Sequence, residues 1–147
     1  MTVDGLLTHA STKDAPMLDD GDYRTMAAVR AELRHFAHFT EKVANSAGLT
    51  PQQHQILVAL RASDGLQLTI GQLAETMFLK PHSMTGLADR LEALDLVKRM
   101  RSEKDRRSTV LRLTKKADDL LASLSQTHKE ELRRIRPLLI SLLSQLD

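Results

Sequence analysis

The hydrophobic period of this chain changes once, at Leu94, and that change limits what the middle of the sequence can fold into. Before it, Met84, Leu87, Ala88, Leu91 and Leu94 recur at spacings of three, four, seven and ten, the stripe presented by one face of an α-helix. After it, Val97-Lys98-Arg99-Met100-Arg101 and Thr109-Val110-Leu111-Arg112-Leu113 read as two strands, with Leu111 and Leu113 inward. A polar, charged connection, Ser102 to Ser108, joins them as a hairpin.

The chain upstream is punctuated by start and stop signals. Residues 1–21 hold Gly5, Pro16, Gly21 and Asp19-Asp20 with no sustained period, and are expected to form a flexible arm. Asp22 is the expected N-cap of a long helix carrying Met26, Val29, Leu33, Phe36 and Val43, which ends near Ala47 before Gly48. Thr50-Pro51 opens a second helix with Ile56, Leu57 and Leu60 on its apolar face, closed by Asp64-Gly65. Thr69 and Gln72 have capping-box spacing at the head of a short third helix containing Ile70, Leu73, Ala74 and Met77. Lys80-Pro81 opens the fourth, the helix with the Met84–Leu94 stripe. Thr114 caps a helix running from Ala117 to Ile135; Pro137 is expected to break it, leaving Leu138, Leu139, Leu142, Leu143 and Leu146 as a final short helix. Aromatic residues are only 3% of the chain and Trp is absent, so the core must be built of Leu, Ala, Val, Ile and Met. The expected fold class is mainly α with a small β-hairpin.

Several functions are disfavoured at this stage. With no cysteine, the chain has no disulfide, thiolate metal site or thiol redox sensor. No apolar run approaches the roughly 18–20 residues of a membrane span. The first residues lack a signal-peptide pattern, so a cytoplasmic protein with no membrane partner is expected. P-loop, dinucleotide-glycine, nucleophile-elbow and zinc-hydrolase patterns are missing, so neither an enzyme nor a cofactor is expected. The net charge of +2 is unevenly distributed: residues 80–116 carry eleven Lys and Arg against five Asp and Glu. Such a concentration is the footprint of a polyanion binder.

A short helix, a tight connection, an amphipathic helix and a hairpin together make a winged helix-turn-helix, in which the second helix enters the major groove of DNA. Lys80, His82, Ser83, Thr85, Gly86 and Arg90 lie at the start of that helix or opposite its apolar stripe, as does Asp89. The short or planar hydrogen-bonding groups near its N-terminus suit base edges and phosphate. Gly86 costs about 1 kcal/mol in a helix interior, which close approach of DNA would offset. Lys104, Asp105, Arg106 and Arg107 form the hairpin tip, where arginine suits the negative potential of a narrow minor groove. Asp105 is expected to orient the Arg107 guanidinium through a bidentate pair.

Residues 50–121 resemble the MarR family of winged-helix regulators. The resemblance is carried by Leu49-Thr50-Pro51-Gln52-Gln53, Leu73-Ala74-Glu75, Asp89-Arg90-Leu91-Glu92-Ala93-Leu94, and most strongly by Asp105-Arg106-Arg107 with Leu111-Arg112-Leu113-Thr114. It implies a winged helix-turn-helix over 49–114, with N- and C-terminal dimerisation helices over 22–48 and 115–147. It also implies a homodimer that binds a palindromic operator in double-stranded DNA, usually as a repressor. Two positions depart from the family: Asp95 and Phe78 stand where glycine is common. Phe78 cannot take a positive φ cheaply, so its turn is expected to differ slightly from the usual form. The family's effector pocket would be lined by the first, second and fifth helices, with His35, Phe36, His38, Phe39, His54 and His128 as candidates and an aromatic carboxylate as ligand. Equally, the Phe side chains could be core and the His side chains surface. No metal ligands are assigned, although His35 and His38 are spaced three apart on one helix face and a divalent-metal-responsive regulator is an alternative. A protein-interaction module on the same fold is another.

Overall fold

The computed structural model describes residues 17–146. Its elements are α1 (Asp20–Ser46), α2 (Pro51–Ala62), a 3-10 turn (Asp64–Leu66), β1 (Gln67–Thr69), α3 (Ile70–Thr76), α4 (Pro81–Ala93), β2 (Val97–Arg101), β3 (Thr109–Leu113) and α5 (Lys115–Leu143). The strands form one antiparallel sheet in the order β1-β3-β2, with Lys98 and Gln67 both opposite Arg112. The fold is therefore mainly helical with a small sheet and wing. No helix among the described residues is long and apolar enough to cross a membrane.

Local chemistry accounts for most boundaries. Thr50 and Thr69 each accept from the backbone N–H three residues on, while Gln53 and Gln72 reach back to the capping N–H, so both capping boxes are complete. The first helix begins earlier than expected: Asp19 is its N-cap, and Asp22 is the residue that reaches back. The expected arm falls largely outside the described residues.

Two other boundaries differ from the sequence expectation. Gln67–Thr69 is a strand that pairs with β3; three residues carry no readable period, and only the partner strand makes them β. Pro137 does not end the last helix, which runs unbroken from Lys115 to Leu143. A proline here forfeits one backbone hydrogen bond and crowds the preceding turn. Contacts with α1 on both sides of it oppose that cost: Glu32 lies within ion-pair distance of Arg134, and the Thr25 hydroxyl donates to Gln145 Oε1 at 3.3 Å.

The core belongs to the winged part of the chain. Ile56, Leu57 and Leu60 of α2, Leu73 of α3, Met84, Leu87 and Leu91 of α4, Val97 of β2, Leu111 and Leu113 of β3, and Ala117 and Leu121 of α5 form one cluster. At about 1.5–3 kcal/mol for each large side chain buried, this cluster dominates the stability of the unit.

Three helices end in the same way. At the ends of α1, α3 and α4 the N–H groups of Leu49, Leu79 and Leu96 donate to the carbonyls of Ala44, Ala74 and Leu91, at 3.0, 2.8 and 3.0 Å. The residue before each leucine is left-handed: Gly48 (φ 76°), Phe78 (φ 54°) and Asp95 (φ 59°). This is the Schellman termination, which favours glycine at that residue. Contrary to expectation, Phe78 keeps the usual turn and bears its strain, because Leu79 must fold back beneath the end of α3 to join the core. The Phe78 side chain gains nothing in return within the chain, being 80% exposed.

Replacing Phe78 by Gly is expected to raise stability by about 0.5–1 kcal/mol: relief of a left-handed cost of about 1–2 kcal/mol exceeds the added unfolded-state entropy. Asp95→Gly is expected to gain less, since aspartate tolerates this conformation better. Urea titration of the two variants against the parent measures both.

Candidate nucleic-acid interface and adjoining cavity

The buried stripe of α4 fixes what the opposite face presents. With Met84, Leu87, Ala88 and Leu91 facing inward, Lys80, His82, Ser83, Thr85, Asp89 and Arg90 are exposed. The Thr85 hydroxyl donates back to the Pro81 carbonyl at 3.0 Å, which leaves its methyl and oxygen lone pairs outward. Nothing lies within 4 Å of a Cβ built at Gly86, so the chain's own packing does not require glycine there. Lys80 at the N-cap has no side-chain acceptor, which leaves the N-terminal N–H groups of His82 and Ser83 without a side-chain cap, available to an anion.

Sequence reading overlooked the part played by Arg99. Its side chain, on β2 and 31% exposed, donates from Nη2 to the Thr85 carbonyl at 3.1 Å and forms an ion pair with Asp89. Its backbone N–H donates to Glu92 Oε2 at 3.1 Å. One residue of the wing thus holds α4 at three points along its length. The signal in the sequence was only that Asp89 and Glu92 are acidic in an otherwise basic stretch; their common partner lies seven to ten residues on and becomes apparent only when β2 folds back.

At the wing tip, Lys104, Asp105, Arg106 and Arg107 are all exposed. Asp105 does not orient the Arg107 guanidinium. Its Oδ1 accepts from the Arg107 backbone N–H at 3.0 Å and its Oδ2 from the Ser108 hydroxyl at 3.3 Å. The Ser102 hydroxyl oxygen accepts from the N–H groups of Lys104 and Asp105, both at 3.3 Å. The carboxylate therefore builds the turn, as Asx residues do, and the arginine side chains remain unpaired among the described residues.

At the base of the wing, Thr114 joins two elements. Its hydroxyl donates to the Asp95 carbonyl at 2.8 Å while accepting from Ala117 N–H at 3.2 Å. Lys116 Nζ donates to the Leu94 carbonyl at 2.8 Å. The end of α4 is thereby fastened to the start of α5.

A cavity of about 770 Å³ lies between α1, α2 and α5, lined among others by Phe36, His54, Val58, Leu121, His128 and Leu132, with Arg61 and Lys129 as its charged members. Phe36 and His54 are thus brought to it. His35 and His38 are exposed and absent from the lining, and Phe39 meets the site only through the edge of its ring against His128. Burial, and then the neighbouring His128, hold the His54 imidazole below its ordinary proton affinity. Among the described residues no three His, Cys, Asp or Glu side chains gather as a metal site.

Comparisons with known proteins agree with this architecture. A model of the MarR family matches residues 47–108. The HTH-type transcriptional repressor MdtR of Bacillus subtilis is 39% identical over 71 residues, covering 48% of this chain and 44% of that protein, so the match spans less than half of that relative. The uncharacterized HTH-type transcriptional regulator YfiV of the same organism is 35% identical over 107 residues, 67% of each chain. Among solved structures, AbsC, a MarR family transcriptional regulator from Streptomyces coelicolor, superposes with a TM-score of 0.70 at 26% identity, covering 82% of this chain and 81% of that one. NadR in complex with 4-hydroxyphenylacetate gives 0.64 at 26% identity, covering 95% and 91%. Sco3205 of S. coelicolor in complex with DNA shares the fold at 18% identity, with a TM-score of 0.69 over 83% and 77% of the chains.

Replacing Arg99 by Met is expected to cost about 1–2 kcal/mol of stability, since a charged donor is removed from both the Thr85 carbonyl and the Asp89 carboxylate. Asp89→Asn should cost less, about 0–1 kcal/mol, because that carboxylate is largely solvated. Urea unfolding of both single variants and of the double variant gives the coupling directly.

Proposed function

Because the chain belongs to the MarR family of transcriptional regulators, we propose that it binds a palindromic operator in double-stranded DNA as a homodimer and acts as a repressor. The observation that carries this reading is the exposed polar face of α4, held by Arg99 to the root of a wing whose tip displays Lys104, Arg106 and Arg107. In this reading 49–114 is the DNA-binding unit. His82, Ser83, Thr85, Gly86 and Arg90 face the major groove. Lys80 lies near phosphate, and the wing tip, shaped by Asp105, enters the minor groove. The repressor activity named for MdtR and the DNA held by Sco3205 support the same assignment.

The partner copy is inferred from apolar surface. Met17, Leu18 and Tyr23 just before and in the first turn of α1, and Leu138, Ile140, Leu143 and Leu146 in and just after the last turns of α5, are exposed at the two ends of the described residues. The Thr25–Gln145 hydrogen bond brings these ends together. In this reading 22–48 and 115–147 form the dimerisation region, and a second copy covers this surface. The cavity between α1, α2 and α5 is the effector site, where the aromatic and imidazole lining suits the ring of an aromatic carboxylate and Arg61 and Lys129 suit its charge. NadR, which holds 4-hydroxyphenylacetate, supports that ligand class.

Selection of genomic fragments on the purified protein is expected to enrich an inverted repeat; recovery of no common sequence would overturn the reading. On the selected site, Arg107→Ala is expected to lose about 1–3 kcal/mol of affinity and to flatten the salt dependence, as for a lost groove or phosphate contact. Truncation after Arg136 is expected to yield a monomer by sedimentation, because it removes much of the apolar surface that a second copy would cover.

A further inference from the structure

We propose that the stacked imidazoles of His54 and His128 are a proton-operated coupling between the winged unit and the terminal helices, so that acidification loosens this attachment and weakens DNA binding. The functional half of the statement rests on the DNA-binding reading above; the coupling itself does not.

The geometry is specific. His54 belongs to α2 and is buried; His128 belongs to the middle of α5. Their ring centroids are 4.8 Å apart with an angle of 14° between planes, and Phe39 of α1 closes the arrangement edge-on at 6.2 Å from His128. The pair thus sits where α1, α2 and α5 meet. His128 Nδ1 lies 3.0 Å from the Leu124 carbonyl, to which it donates when protonated. In the neutral ring the lone pair is then on Nε2, which is buried without a hydrogen-bond partner.

Neutral rings stack at this distance without penalty, whereas two imidazolium ions would repel with little water between them. The groups around the pair offer no compensation. From α2 the charged neighbour along the cavity is Arg61, and from α5 it is Lys129, both positive. Arg61 is ion-paired with Asp118, whose carboxylate is thereby engaged. From α1 the cavity receives Phe36 and Thr40. Glu32 of α1 and Glu131 of α5 are both within ion-pair distance of Arg134, and His35 of α1 is exposed to solvent. The lowered proton affinity of His54 agrees with this surrounding.

The sign follows from linkage. A buried imidazole with depressed affinity favours the stacked arrangement fully above the ordinary imidazole value of about 6.5. That contribution is lost as pH falls through the lowered value. The adjoining cavity gives a charged ring room to turn toward water without unfolding the core. Separation of the rings frees α2 against the part of α5 beyond Leu121, and a reading head with a loose mount binds a fixed half-site spacing less well.

Affinity of the full chain for its selected site, measured at about pH 7.5 and about pH 5.5 at constant ionic strength, tests the proposal. The parent is expected to weaken several-fold on acidification, and His54→Phe and His128→Gln to show a smaller change. His82, on the DNA-facing helix, is present in all three proteins, so its own titration cancels when their pH ratios are compared. An equal pH ratio in the parent and both variants would overturn the proposal. Imidazole NMR titration without DNA reads the coupling separately. A His54 midpoint that rises in His128→Gln supports it, and one indifferent to that replacement overturns it even if DNA binding is pH-dependent. If no DNA is bound at either pH, the regulator reading fails and the NMR result alone decides the coupling.

Discussion

Burial of the α4 stripe is the interaction on which the rest of the structure depends. Met84, Leu87, Ala88 and Leu91 leave water against α2, α3 and the sheet, and this sets both the depth and the rotation of the helix. A rotation of one residue, about 100°, would drive a charged group such as Asp89 toward the core, at a cost far above that of any surface contact. The outward face is therefore held by apolar packing that touches none of its polar groups. Arg99 then fixes the wing to the same helix, through a backbone carbonyl and two acidic side chains. Positioning is divided between a nonspecific force, which orients the helix, and a directional one, which sets the wing against it.

The helix endings illustrate how tertiary packing overrides local preference. Each of the three left-handed residues precedes a leucine whose N–H closes the helix end and whose side chain enters or abuts the core. Full burial, as at Leu49 and Leu96, is worth about 1.5–3 kcal/mol, and the partly buried Leu79 recovers a share of that, against the roughly 1–2 kcal/mol that a left-handed L-residue costs. This packing, together with the hydrogen bond that closes each helix end, lets Phe78 and Asp95 occupy positions suited to glycine without altering the turn. Sequence reasoning recognised the local cost at Phe78 but had no measure of the packing opposed to it, and so expected a changed turn.

Features governed by near neighbours were legible in the sequence. The capping boxes at Thr50 and Thr69, the amphipathic stripe of α4 and the hairpin after Leu94 depend on residues within a few positions of one another, and they appear where expected. Features needing a distant partner were not. Gln67–Thr69 is β only because β3 lies beside it, and Arg99 finds its partners only after the chain reverses. Pro137 reads as a stop because its cost is local while the packing that opposes it is supplied by α1, more than a hundred residues away. Asp105 was correctly placed at the wing tip but given the wrong partner. A carboxylate in a turn meets nearby backbone N–H groups at little entropic cost, and Arg107 would have had to surrender side-chain freedom to compete.

The distribution of burial also bears on the control proposed for the seam between α2 and α5. The winged unit is closed on its own core, whereas α1 buries only Thr25 and Ala44, and α5 beyond Leu121 buries only Ile135. Motion within the winged unit must break apolar packing. Motion of that unit against the distal part of α5 must disturb mainly the lining of the cavity and two stacked rings. Low resistance coincides there with attachment, through α2, to the core in which α4 is seated. A ligand filling the cavity, or a charge placed on the rings, therefore changes a balance of small terms while leaving the large terms that hold the fold intact.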